Sequence, residues 1–115
     1  MTLEIENFRF GKIEISGNGY TKDLIVFPNH ISTNWRREQG HTLSLIDLQE
    51  VLDADPDVLI IGQGSLKRMK IPPYVQNQIE AQGIEVIAQS TEEACQTYNR
   101  LRYEKRVIAV LHLTC

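Results

Sequence analysis

Apolar positions along this chain follow two rhythms, one before residue 36 and another after residue 44. In the first, Leu3, Ile5, Phe8, Phe10, Ile13 and Ile15 recur close to period 2, with Gly11-Lys12 between them. Successive side chains of a strand point to opposite faces, so this spacing predicts a β-hairpin. Ser16-Gly17-Asn18-Gly19 reads as a turn, because Gly and Asn tolerate positive φ. Leu24 to Phe27 is a third predicted strand, closed by Pro28-Asn29, and Ile31 to Trp35 a fourth. Residues 1–36 are expected to form an antiparallel meander.

The later spacing is helical. Ser44 is placed to cap a helix, Asp47 suits its positive end, and Leu45, Leu48, Val51 and Leu52 share one face. Pro56 stops that helix ahead of the apolar run Val58-Leu59-Ile60-Ile61. Pro72-Pro73 opens a second helix, since the first turn leaves its N–H groups unpaired anyway. Gly83 closes it, and Ile84 to Ala88 is a strand. Ser90-Thr91-Glu92-Glu93 has the capping-box pattern, and its helix carries Ala94, Tyr98 and Leu101 inward. Val107 to Leu113 is the last predicted strand. The order β-β-β-β-α-β-α-β-α-β holds two consecutive β-α-β crossovers, which make neighbouring strands parallel. The reading is one domain over 1–115, with a meander at 1–36 and an α/β crossover part at 44–115.

Bulk properties narrow the function classes. A chain of 115 residues buries roughly 65% of its unfolded surface and holds a core without metal or disulfide. The net charge of −3 argues against a nucleic-acid partner, which calls for a basic excess. No apolar run approaches the roughly 20 residues that span a bilayer, so no membrane partner is expected. MTLEIENF shows neither a secretory nor a mitochondrial leader pattern, and a cytoplasmic location is expected. Cys95 and Cys115 form no metal spacing and are expected to be free thiols.

Gly62-Gln63-Gly64, at the end of the Val58 run, looks most like chemistry. A dinucleotide site needs a third glycine where Lys67 stands, and a helix starting inside the motif rather than at Pro73. The Walker pattern is missing as well. What survives is a loop at the carboxyl end of a parallel strand, where two glycines can turn backbone N–H groups outward as an anion nest. Ser65, Lys67 and Arg68 belong to this candidate ligand loop, and Thr91 and Asn99 are candidates to line it from the neighbouring helix. The plainer reading, a tight strand exit with a solvated basic rim, is preferred because G-x-G alone is a weak motif. Trp35-Arg36-Arg37 is the candidate interaction surface, since Trp and Arg are enriched at interface hot spots; a Trp packed on the meander weighs evenly against it.

His112 and Cys115 suggest a thiolate–imidazole pair, but on one strand they face opposite ways, and a terminal carboxylate beside Cys115 would raise its thiol pKa. A half-buried histidine with a partner is preferred. Cys95 lies beside an apolar helix stripe and is expected to be buried. His30, His41 and His112 make no metal set by spacing, and no catalytic residue, metal or cofactor is expected.

Taken in order, DVLIIGQG, LKRMKIPP, GIEVIAQSTEEACQTYNRL and the final HLTC, with FGKIEISGNGYTKDLIVFP and Trp35 before them, resemble the adipogenesis-associated domain-containing protein family. Its superfamily includes mitochondrial complex I assembly factor 3. The resemblance implies a three-layer α/β domain, a central mixed sheet with helices on one side and an extra antiparallel β layer on the other. It places the family's glycine loop on Gly62 and Gly64, its helix motif on Thr91, Ala94, Tyr98 and Asn99, and its tail on His112, Thr114 and Cys115. It implies a protein-binding or assembly factor with a protein partner and no assigned catalysis. The mitochondrial relative would need a targeting presequence, so the closer likeness is to the cytosolic branch. The functional expectation is a non-catalytic interaction domain; the alternative is a small-molecule or anion-binding domain, or an enzyme, using the glycine loop.

Overall fold

Alternation in the first twenty residues builds a small antiparallel sheet. In the structure, a computed structural model that describes residues 3–115, β1 (Ile5–Arg9), β2 (Lys12–Ile15) and β3 (Asn18–Tyr20) pair in that order. The first two positions of the expected 1–36 meander lie outside the described residues. Ser16 and Gly17 both have positive φ, 46° and 88°, the mirror-image turn whose twist matches the flanking strands. That turn is complete at Gly17, so Asn18 already pairs with Ile15. Asn18 and Gly19, expected in the turn, therefore lie in β3. Ile13 and Ile15 point inward and are fully buried, whereas Phe10 sits at the β1–β2 turn and is exposed.

The rest of the meander joins another sheet. β4 (Leu24–Val26) and β5 (Ile31–Ser32) combine with β6 (Val58–Gly62), β7 (Glu85–Gln89) and β8 (Val107–Leu111) in the order β5-β4-β8-β6-β7. β6 runs parallel to both β7 and β8, and β4 runs antiparallel to β8. β6 and β8 are buried along their whole length, as their uninterrupted apolar runs require.

A 3₁₀ turn over Leu45–Leu48 leads into the short α1 (Gln49–Asp53). Asp47 starts it, accepting hydrogen bonds from both the N–H and the hydroxyl of Ser44 at 2.9 and 2.8 Å. α2 (Pro73–Glu80) opens on its proline, and α3 (Thr91–Leu101) is capped by Ser90, which accepts from the Glu93 N–H.

Helices pack on both faces of the large sheet, which differs from the expectation of helices on one side. Leu48, Val51, Val75 and Ile79, from α1 with its 3₁₀ turn and from α2, meet Leu59, Ile61, Ile108 and Val110 on one face. Ala94 and Tyr98 of α3 join Ile13 and Ile15 of the small sheet against Val58, Ile60, Ala109 and Leu111 on the other. Topology is the reason. The chain steps from β6 to its neighbour β7 through α2, then travels back past β6 to β8 through α3. Right-handed crossovers in opposite directions put their helices on opposite faces. Among the described residues, no helix is long and apolar enough to cross a membrane.

Candidate functional site

The reversal of direction makes β6 and β8 the switch point of the sheet, and outside their carboxyl ends open α/β folds hold ligands. Here that place is filled by residues 112–115. β8 ends at Leu111, two residues short of expectation, because Leu113 leaves the ladder. Its N–H donates to Asp23 Oδ1 at 2.8 Å, and its carbonyl accepts from Gly11 N–H at 2.8 Å.

The two glycines of the β6 exit make this possible. A Cβ on Gly62 would lie 2.9 Å from Leu111 Cδ2 and 3.0 Å from Thr91 Oγ1. A Cβ on Gly64, whose φ is +99°, would lie 2.2 Å from the carbonyl carbon of Cys115 and 2.8 Å from His112 Cδ2. The loop donors are engaged within the chain. Gln63 N–H donates to Gln89 O, Gly64 N–H to Thr91 Oγ1, Ser65 N–H to Thr114 O, and Arg68 N–H to Cys115 O, at 2.7–3.0 Å. Lys67, at φ +57°, closes the turn by donating to Gly64 O. The N–H groups of Gln63, Gly64 and Ser65, expected to face outward as an anion nest, thus hold the chain's own carbonyls and the Thr91 hydroxyl, while Gly62 is still a ladder residue of β6. Lys67 and Arg68 stand exposed at the rim.

Thr91 is fully buried at the start of α3 and fastens three segments. Its hydroxyl donates to His112 O at 2.5 Å and accepts from Gly64 N–H at 2.9 Å, while its own N–H donates to Gly64 O. Asn99 does not join it. Eight residues along α3, about 12 Å away at 1.5 Å per residue, Asn99 pairs with both backbone groups of Ile5, at 2.9 and 2.6 Å. It finishes the edge of β1.

Behind the tail lies a buried ionic cluster. Asp23 Oδ2 is 2.8 Å from His112 Nδ1 and 3.0 Å from Arg37 Nη1. Arg37 Nη2 also lies 3.1 Å from His112 Nδ1. A bare Nδ1 lone pair facing the carboxylate would repel it, so Nδ1 carries the proton and donates to Asp23. Arg37 then acts on Asp23 through charge, and its Nη1 makes no directed hydrogen bond among the described residues. Burial by itself pushes the Asp23 carboxyl up. The His112 and Leu113 donors and the Arg37 guanidinium outweigh it, holding the group below its ordinary value. His112 is 5% exposed, and its Nε2 has no hydrogen-bond partner among the described residues. The adjacent Cδ2 packs against Gly64, so the ring is walled in by loop backbone. The arrangement is a fastening of the tail, with His112 as the partnered histidine expected.

Trp35 and Arg37 are not surface residues, a correction to their reading as an interaction patch. Trp35 is 8% exposed, and its indole N–H donates to Asp47 O at 2.9 Å. Arg37 lies over the Trp35 ring at 4.8 Å while its head meets Asp23. An indole packs here because β5 ends at Ser32, leaving residues 33–37 to fold back over α1's approach. Of the three, only Arg36 is exposed. Cys95 is buried, and burial, with the nearby Glu92 charge, pushes its thiol up to about 12.

Residues 5–112 match the family described as proteins of unknown function, DUF498/DUF598. The chain belongs to that family. A solved conserved hypothetical protein from Pyrococcus horikoshii is similar at 30% identity, with a TM-score of 0.85 over 97% of this chain and 99% of its own. The protein MT938 is similar at 25% identity and a TM-score of 0.84, over 99% of this chain and 100% of its own. A Mth938-like domain from Bordetella pertussis is similar at 25% identity and a TM-score of 0.71, over 96% and 85%.

In this DUF498/DUF598 chain the residue that sequence reasoning missed is Asp23. It sits alone between Lys22 and Leu24, with no motif and no period to mark it. Its partners His112 and Arg37 are 89 and 14 positions away; β4 lying beside β8 sets Asp23 against His112, and the Trp35 N–H donating to Asp23 O brings Arg37 back to both. The preferred reading of Gly62-Gln63-Gly64 as a tight strand exit describes what the loop does.

Proposed function

We propose that this DUF498/DUF598 domain is a non-catalytic protein-binding module of the kind on which larger complexes are assembled. The observation that carries this reading is the occupied crevice. The place where an α/β sheet ordinarily receives a small substrate is taken by residues 112–115. Beside it, the free surface has interface chemistry. Leu66 is 64% and Tyr74 60% exposed, and Lys67, Arg68 and Lys70 between them are exposed too. Tyr and Arg anchor hot spots, and apolar contact with cations fits an acidic partner surface. The resemblance to the adipogenesis-associated family, with its assembly-factor members, supports the same direction, and the reading takes the cytoplasm as its setting.

The test is cross-linking in intact cells, comparing the wild-type chain with Leu66→Ser/Tyr74→Ser and with Lys67→Glu/Arg68→Glu. A discrete cross-linked partner that disappears in both double variants, at unchanged melting temperature, is expected. Its persistence in both, or cross-links to the chain alone, refutes the reading.

A further inference from the structure

At the pole opposite the tail, near the amino ends of β6 and β8, lies an open cleft of about 430 Å³. That volume is within the roughly 300–1,000 Å³ of small-molecule sites. Its walls come from the β4–β5 turn, from α1 and from the residue before β8. The turn supplies a planar stack, Phe27 under His30, with ring centroids 4.4 Å apart and planes 5° from parallel. Phe27 N–H donates to His30 O, which holds the turn in this shape. α1 supplies Glu50, the residue that caps its carboxyl end supplies Ala54, and Arg106 closes the other side. Glu50 and Arg106 are exposed, and neither forms an ion pair among the described residues. Opposite charges share one cleft without meeting, within reach of an aromatic wall.

From this juxtaposition we infer that the cleft binds a small zwitterion bearing a flat ring, of the free aromatic amino-acid class. The carboxylate pairs with Arg106, whose planar fork suits it. The ammonium pairs with Glu50. The ring lies along the His30–Phe27 stack in the offset geometry that aromatic faces prefer. Other ligand classes fit less well. A phosphate ester brings about two negative charges to one guanidinium and one repelling carboxylate. A wholly apolar ligand would cover both charges and leave them without partners. The backbone of Arg106 is tied to Asp57 independently of its side chain, so the cation can be removed without loosening β8.

The test is an NMR titration of the full chain with tryptophan, tryptamine, which lacks the carboxylate, and the deaminated acid, which lacks the ammonium. Saturable shifts at Phe27, His30 and Ala54 are expected with tryptophan. Each analogue, and tryptophan against Arg106→Met or Glu50→Gln, should bind about tenfold more weakly, the loss of one charged hydrogen bond. His30→Ala, in an exposed turn, should weaken binding while leaving the melting temperature unchanged. Absence of saturable shifts at millimolar tryptophan, shifts confined to other residues, or equal binding of all three compounds overturns the inference. None of these outcomes bears on the 66–74 rim at the other pole, so the binding-module reading stands or falls separately.

Discussion

Replacing Gly64 by alanine acts on the tail fastening directly. The new methyl meets the Cys115 carbonyl carbon at 2.2 Å and its oxygen at 2.5 Å, both backbone atoms that cannot rotate aside. At φ +99° an L-residue also costs about 1–2 kcal/mol. To clear the methyl, residues 112–115 must lift. That breaks at least the Ser65–Thr114 and Arg68–Cys115 hydrogen bonds, about 1 kcal/mol each. Reduced freedom of the unfolded alanine chain returns about 0.4–1 kcal/mol. The expected destabilisation is about 2–4 kcal/mol, a large share of the roughly 5–15 kcal/mol that holds a domain together. Gly17 provides the control. Its φ is +88°, and no atom of the described residues lies within 4 Å of its absent Cβ, so Gly17→Ala measures backbone strain alone, about 1 kcal/mol. Urea unfolding of the two variants beside the wild type isolates the steric part, and hydrogen exchange at residues 113–115 reports whether the tail has lifted. Equal midpoints for Gly64→Ala and Gly17→Ala, with a protected tail in both, would falsify the assignment of this loop as a cradle for the tail.

Asp23→Asn should destabilise the chain by about 2–4 kcal/mol at neutral pH, because His112 and Arg37 lose their shared carboxylate. The folded-state pKa of Asp23 is lowered, so its contribution is complete above about pH 4 and fades as the pH falls through the folded value. Urea midpoints of wild type and variant measured against pH should therefore converge on the acid side; a constant gap would show that the charge is not the cause. Trp35→Ala should cost about 3–5 kcal/mol as a core truncation, whereas a surface Trp would leave the unfolding midpoint in place. Cys95, with its thiol pushed up to about 12, should resist a thiol reagent at pH 8 until denaturant is added; labelling of Cys95 in the native protein by mass spectrometry would contradict its burial.

What the sequence determined by itself is everything that repeats or caps locally. The period-2 run forms a hairpin, Pro73 opens α2, Ser90 caps α3, and the unbroken run at 58–61 is a strand buried on both faces. These follow from side-chain periodicity and from backbone groups satisfied within a few residues, both written in adjacent positions. Tertiary structure alone decided which sheet each strand joined, and with it the site. β4 leaves the small sheet to lie against β8, and that pairing sets Asp23 beside His112. The return crossover puts α3 on the opposite face from α2, and so brings Thr91 to Gly64. Trp35 could have faced either way, since an indole suits a core and an interface equally. Its burial was settled when Asp47 O came within 2.9 Å of its N–H. Ion pairs and long-range hydrogen bonds have no period. Their partners are selected by where the turns deliver the strands, which is information held by the assembled chain.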